Sequence, residues 1–226
     1  MILNIETSSK LCSVALCDHG DVVFSLISDS PMDHAVKLGP FVDRCMEELA
    51  KRDLKLDAVA VSMGPGSYTG LRIGLSLAKG VCFGLQIPLI GIPTLEILAV
   101  KALFSSLDFD EATIIIPLID ARRMEVYTAA YDIGLRKMMK PQPLILEEDC
   151  FKEFSDKPLV MIGDGVEKAK EVLKLEVRKW IDRMPVAADM MALSDKAFRD
   201  GRFIDIAYST PYYLKNFQAT TPKNKF

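Results

Sequence analysis

Apolar positions near the start of the chain recur with the period of β-strands. Short apolar runs at residues 2–5, 11–16 and 22–27 predict three strands. The sequence Asp-His-Gly-Asp at 18–21 separates the second run from the third and is typical of a hairpin turn. We therefore expect the chain to open with a three-stranded antiparallel meander.

A helical period follows. Apolar residues spaced three and four apart predict an amphipathic helix that begins after Asp33, with the apolar positions Leu38, Phe41, Val42, Cys45, Met46 and Leu49. Strands are then predicted at 58–61 and 88–92. Helices are predicted at 75–85 and at 95–104, the latter with Thr94 as its N-cap.

The same order of elements returns in the second half of the chain in a degraded form. Apolar runs predict strands at 113–119, 125–131 and 158–162, and a helix at 166–175 follows the turn Gly163-Asp164-Gly165. The pattern predicts two α/β lobes, residues 1–107 and 108–226, the second being smaller and ending in a tail.

Composition narrows the function classes. Of 226 residues, 50% are hydrophobic and 26% charged, as in ordinary globular proteins, and the net charge of −3 argues against this chain binding nucleic acid alone. The amino terminus lacks a basic leader, and no apolar run is long enough to span a bilayer. The five cysteines form no CxxC pair, so we expect free thiols in a cytoplasmic protein without membrane contact.

The run from Met63 to Gly74, Met-Gly-Pro-Gly-Ser-Tyr-Thr-Gly-Leu-Arg-Ile-Gly, lies between a predicted strand and a predicted helix. It matches neither the Walker A pattern nor the dinucleotide-binding fingerprint. Its backbone could cradle a phosphate, or its glycines could allow a tight turn and close packing. The candidate phosphate or nucleotide loop comprises Gly64, Gly66, Ser67, Thr69 and Gly70.

Small residues continue along the helix after this run. Gly70, Gly74 and Ala78 lie four residues apart and share one helical face. Glycines weaken an isolated helix by roughly 1 kcal/mol each relative to alanine, so close packing must compensate. The sequence leaves open whether this face packs on a partner or on the chain's own sheet.

Candidate catalytic and metal-binding residues are few. The chain has two histidines, and Leu38 occupies the position four residues after His34, so no His-xxx-His pair exists. Glu6 and Asp120 end corresponding strands of the two lobes. These acids could face a common cleft and hold the metal of a metal–nucleotide complex, or each could cap its own hairpin.

The quoted segments resemble the TsaB family, also called YeaZ, which takes part in making threonylcarbamoyladenosine at position 37 of bacterial tRNAs. The resemblance covers nearly the whole chain. It rests on residues 2–9, 12–16, 64–74, 119–127, 163–165 and 211–215.

The resemblance implies a duplicated actin-like, Hsp70-like fold and a non-catalytic scaffold or activator that binds TsaD, the catalytic subunit with a His-xxx-His metal motif. It implies no catalytic residue, no bound metal and no tightly bound cofactor, with ATP or ADP at most at the partner interface. It further implies TsaE as a partner, a homodimer when the chain is alone, and tRNA contact only through the complex. Carried onto this sequence, the pairing surface comprises His34, Leu38, Phe41, Val42, Cys45, Gly70, Arg72, Gly74, Leu75 and Ala78.

Two other functions stay open at this point. Actin-like folds also serve kinases that transfer phosphate from ATP to small molecules, which would use the glycine run. Members of this family have also been labelled glycoproteases, although the residues offer no peptidase chemistry beyond the lone His34.

Overall fold

Ten strands form two five-stranded sheets in the computed structural model of the chain, which describes residues 1–28, 30, 33–105 and 109–215. The first sheet has the order β3-β2-β1-β4-β5. Its strands are β1 (Ile2–Glu6), β2 (Ser13–Asp18), β3 (Asp21–Ile27), β4 (Ala58–Ser62) and β5 (Leu89–Ile92). Its accompanying helices are α1 (His34–Lys51), α2 (Tyr68–Leu85) and α3 (Thr94–Phe104).

The second sheet repeats this topology with the order β10-β9-β6-β7-β8. In each sheet three consecutive strands pair antiparallel, and the next two join the first strand in parallel. The elements are β6 (Ile114–Asp120), β7 (Glu125–Tyr131), β8 (Lys137–Ile145), β9 (Leu159–Ile162), α4 (Val166–Val172), β10 (Lys179–Ile181) and α5 (Met191–Arg199). The repetition confirms the predicted duplicated two-lobe fold.

Alternation along β1 assigns its two faces. Leu3 and Ile5 pack in the core beneath α1 and α2, whereas Ile2 packs with Met190 and Ala197 on the opposite face. Because successive strand side chains point to opposite faces, Asn4 and Glu6 share the side of Ile2. The first sheet is therefore covered by helices on both faces.

The chain crosses between the lobes twice. Helix α3 packs Leu95, Leu98 and Ala102 against the second sheet, and Ile97 against the first. The segment from Ala187 to Arg199 returns to the first sheet, where the Ala187 amide donates to Ser13 Oγ at 2.9 Å. The predicted 108–226 lobe is thus corrected, because its last helix packs on the first lobe.

Three elements escaped the sequence pattern. Strand β8 carries prolines and lysines at a sheet edge, where the ladder needs fewer backbone donors. Strand β10 spans three residues, and α5 has only two fully buried positions. Each is too short or too polar for periodicity to reveal.

Local details differ from the expectations at two helix starts. Helix α2 begins at Tyr68 rather than near residue 75, because Ser67 caps it by accepting from the Gly70 amide at 3.2 Å. Thr94 is the first residue of α3 and not its cap, which is Pro93.

All five cysteines are free thiols, as predicted. None of the helices in the described part of the chain combines the length and apolar character that crossing a bilayer needs.

Candidate functional site at the interlobe cleft

The glycines of the Met63–Gly74 run stand where another backbone passes. A Cβ at Gly66 would lie 2.3 Å from the Ser8 carbonyl oxygen, and one at Gly70 would lie 2.1 Å from the Thr7 carbonyl oxygen. Gly64 has a φ of +100°, and a Cβ at this position would lie 2.7 Å from the Tyr212 carbonyl oxygen. The run is therefore a close-packed junction between the β1–β2 connection and the chain's last segment.

This packing uses part of the backbone that a phosphate cradle needs. The Ser67 amide donates to the Ser8 carbonyl at 2.7 Å, and the Gly70 amide donates to Ser67 Oγ. Of the proposed loop, Ser67 and Thr69 are exposed and line a cleft, whereas Gly64 and Gly70 are buried. The loop is therefore not a free phosphate cradle, although Ser67 and Thr69 border the cleft.

The small-residue face of α2 packs inside its own lobe. A Cβ at Gly74 would lie 2.2 Å from Thr7 Oγ1, and Ala78 is fully buried. This corrects the predicted pairing surface, because a partner has no access to these side chains. The same holds for the other buried members of that surface, His34, Leu38, Val42, Cys45, Gly70 and Leu75.

Two members of the predicted surface remain accessible, namely Phe41, which is half-buried, and Arg72, which is exposed. The outer faces of α1 and α2 carry other accessible features. Val36 on α1 and Phe83 on α2 are each 71% exposed. A Cβ added to any of three helical glycines would meet no atom within 4 Å; these are Gly39, Gly80 and Gly84.

Glu6 does not reach the cleft, which corrects its predicted role as a cleft acid. The side chain is fully buried and accepts a hydrogen bond from the Ser8 amide at 2.5 Å. Burial raises the pKa of Glu6 to about 7, against the lowering effect of the Ser8 hydrogen bond. The physical reason is the strand alternation, which turns this carboxyl toward the segment that carries Asp189.

Asp120 does lie at the cleft. Its carboxylate accepts from Lys168 Nζ at 2.6 Å and from the Arg122 amide at 2.7 Å. Burial acts to raise the pKa of Asp120, but the hydrogen bonds from Lys168 and the Arg122 amide, together with the charges of Lys168 and Lys10, outweigh it, so that pKa lies below its usual value. Burial raises the pKa of the neighbouring Asp164, whose Oδ1 accepts from the Asp120 amide at 2.9 Å.

The cleft between the lobes has a volume of about 390 Å³. One wall is the start of α2, the second is the β6–β7 turn with β7, and the third is the segment 212–215. Its side chains belong to Pro65, Ser67, Tyr68, Thr69, Asp120, Ala121, Arg122, Tyr127, Tyr212, Tyr213, Leu214 and Lys215, with Gly66 between them.

His34 serves as a packing residue. It is 6% exposed, and its Nε2 donates to the Leu11 carbonyl oxygen at 3.2 Å. Within residues 1–28, 30, 33–105 and 109–215, no group of three His, Cys, Asp or Glu side chains is arranged to hold a metal ion.

Comparison of the sequence with known proteins identifies its family. The family model described as "TsaD: tRNA N6-adenosine threonylcarbamoyltransferase" matches residues 28–221. The tRNA threonylcarbamoyladenosine biosynthesis protein TsaB of Escherichia coli is 30% identical over 95% of this chain and 94% of its own length. The Bacillus subtilis protein of the same name is 31% identical over 76% of this chain and 75% of its own length.

The chain belongs to the TsaB family. The solved structure of YeaZ from Pseudomonas aeruginosa is similar, with a TM-score of 0.77 at 27% identity over 94% of this chain and 99% of that one. The fold similarity therefore extends over both lobes.

Sequence reasoning about this TsaB family member missed most of the cleft wall. Tyr127 was treated as a strand residue within the matched segment 119–127, and Lys168 only as part of a helix. The signal for the wall was the pair Tyr212-Tyr213, which falls in the matched segment 211–215, but a linear pattern does not show that these residues return to α2.

Proposed function

We propose that this chain is a non-catalytic scaffold that binds a TsaD-type subunit, and that the pair is required for threonylcarbamoyl modification of adenosine 37 in tRNAs that read codons starting with A. Support comes from relatives named as threonylcarbamoyladenosine biosynthesis proteins and from the match to the transferase family model. The partner surface is assigned to the outer faces of α1 and α2.

The observation that carries this assignment is the set of open glycines within those two helices. Gly80 and Gly84 on α2 and Gly39 on α1 each weaken a helix by roughly 1 kcal/mol relative to alanine. Nothing in the described chain occupies the space that these glycines leave. A partner helix that approaches closely would use that space, and exposed Val36 and Phe83 would supply apolar contact.

In this assignment the isolated chain forms a homodimer through the same faces. In the heterodimer, the TsaD-type subunit replaces one of the two copies. TsaE then joins the heterodimer, and tRNA is engaged by the complex in the cytoplasm. No cofactor is held tightly by the chain alone, and ATP or ADP binds at the interface with the partner.

The test is reconstitution with the TsaD-type protein of the same organism, the remaining pathway proteins, threonine, bicarbonate, ATP and tRNA. Threonylcarbamoyladenosine is measured by mass spectrometry with and without this chain. Product that depends on the chain and survives Asp120→Asn supports a non-catalytic required partner. Equal product without the chain would overturn the proposal.

Matched variants test the surface. Gly80→Leu places a bulky side chain in open space, so it should leave the fold intact and abolish co-purification with the TsaD-type subunit. Lys196→Leu places the same side chain at an exposed position of α5 and should leave co-purification unchanged. Normal complex formation by Gly80→Leu would rule out this part of α2 as the interface.

A further inference from the structure

Tyrosine is concentrated at the interlobe cleft. The chain has six tyrosines, and four of them line this one cleft: Tyr68, Tyr127, Tyr212 and Tyr213. Three of those rings are accessible, with exposed fractions of 36% for Tyr68, 51% for Tyr212 and 40% for Tyr213. Aromatic rings held open to solvent at a concave site are platforms on which a flat ligand can stack.

The platform is held in place before any ligand arrives. The ring centroids of Tyr68 and Tyr213 lie 5.0 Å apart, with their planes tilted by 35°. The Arg72 guanidinium lies 5.3 Å from the Tyr68 centroid and donates to its hydroxyl at 2.7 Å. The Tyr212 amide donates to the Met63 carbonyl at 2.6 Å, and Lys215 pairs with Glu125. A preorganised site loses less entropy when a ligand binds.

The charge of the lining favours an anion beside the rings. Asp120, the acid that lines the cleft, pairs with Lys168 at 2.6 Å, and Lys215 pairs with Glu125, so both of these lining charges are already balanced. Within the described residues the Arg122 guanidinium makes no hydrogen bond or ion pair, and its backbone has a φ of +68°. Among the described residues, the lining therefore carries one unbalanced positive charge, at Arg122, in a chain whose net charge is −3.

The charge of Lys10 adds to this field from the other lobe, because it acts on both Asp120 and Asp164. Ser67 and Thr69, at the start of α2, also line the cleft. Stacking rings, one unpaired guanidinium and nearby hydroxyls are complementary to an aromatic base joined to a phosphate.

We propose that this cleft binds an unpaired nucleotide of an RNA strand, with the base against Tyr213 and Tyr212 and a backbone phosphate near Arg122. A cleft of about 390 Å³ suits one splayed nucleotide and is too small for a duplex. The inference rests on the proposed function, which brings tRNA to the complex. The paired state of Lys215 and Lys168 makes the contact weak in the isolated chain.

The test is fluorescence anisotropy with the full-length chain and a labelled single-stranded RNA of about 12 nucleotides, compared with a duplex of the same sequence. Tyr213→Ala should weaken binding of the single strand by roughly 5- to 150-fold, the range for loss of one stacked base. Arg122→Gln should weaken binding and flatten its salt dependence, because one phosphate contact is lost.

Two control variants distinguish the loss of the aromatic ring from a loss of folding. Tyr213→Phe keeps the ring and should restore binding, while Tyr208→Ala removes a tyrosine that is 86% exposed and outside the cleft. The melting temperature of each variant is measured beside its affinity. Equal binding by Tyr213→Ala and the unchanged chain, or no binding of the single strand at all, would overturn the inference.

Two further outcomes are also decisive. Equal affinity for duplex and single strand would contradict the size argument. Displacement of the strand by an equal concentration of AMP would assign the cleft to a free nucleotide and overturn the strand assignment. Failure of the proposed function appears separately, as product formation that is independent of this chain.

Discussion

Gly74 on α2 faces Thr7 on the β1–β2 connection so closely that a Cβ at position 74 would lie 2.2 Å from Thr7 Oγ1. The Thr7 hydroxyl is buried, and within the described residues it has no hydrogen-bond partner. This contact decides the role of the small-residue face, which brings α2 onto the end of β1.

Gly74→Ala is therefore expected to lower the free energy of unfolding by about 1–3 kcal/mol, the usual cost of overpacking a tight core contact. Urea denaturation measures the loss. Gly80→Ala in the same helix meets no atom and should raise stability by up to about 1 kcal/mol.

The double variant Gly74→Ala with Thr7→Ala tests the contact directly. Removal of Oγ1 takes away the clashing atom, so most of the lost stability should return. Losses that simply add would show that the two residues do not interact.

Glu6 should make stability depend on pH. Its pKa is about 7 in the folded chain and 4.5 as a free side chain, so the folded state holds the proton more tightly. The contribution of Glu6 is therefore fully present below pH 4.5 and is lost as pH rises through 7.

Glu6→Gln keeps the acceptor for the Ser8 amide and removes this titration. Between pH 5 and pH 8 the stability difference should shift toward the Gln variant by about 2–3 kcal/mol. Parallel stability profiles for the two proteins over that range would contradict the burial of an ionisable Glu6.

Lys168 joins three acceptors of the second lobe: Asp120 Oδ1 at 2.6 Å, the Arg123 carbonyl at 3.0 Å and the Glu125 carbonyl. Lys168→Met keeps the aliphatic stem and leaves these oxygens without their donor, so unfolding free energy should fall by about 1–3 kcal/mol.

The matched control for that measurement is Lys174→Met. Lys174 forms an exposed ion pair with Glu148, and its loss should cost less than about 1 kcal/mol. Equal effects of the two substitutions in thermal or urea unfolding would show that the Lys168 network is not structural.

Calorimetry with Mg-ATP distinguishes the scaffold from a kinase of the same fold. We expect no measurable heat from the isolated chain, since the Ser67 and Gly70 amides are used within the junction. Heat that appears only after the TsaD-type subunit is added would support a nucleotide at the interface. Micromolar binding by the chain alone would favour the kinase.

Local sequence pattern was sufficient for most strands and for the faces of the long helices. Alternation in residues 2–5 and helical spacing in 34–50 depend on where neighbouring side chains of one element point. The duplication was readable for the same reason, because each lobe repeats the same succession of short elements.

Only the tertiary structure shows which residues each face contacts. The periodicity that places Gly70, Gly74 and Ala78 on one face does not distinguish packing on a partner from packing on Thr7. The open glycines of the proposed partner surface, Gly39, Gly80 and Gly84, had no such signal. Glu6 and Asp120 occupy equivalent strand ends, yet one is buried and the other lies at the cleft. The cleft brings together Tyr68 and Tyr213, which lie more than a hundred positions apart in the sequence. Burial and charge balance depend on such distant neighbours rather than on local spacing.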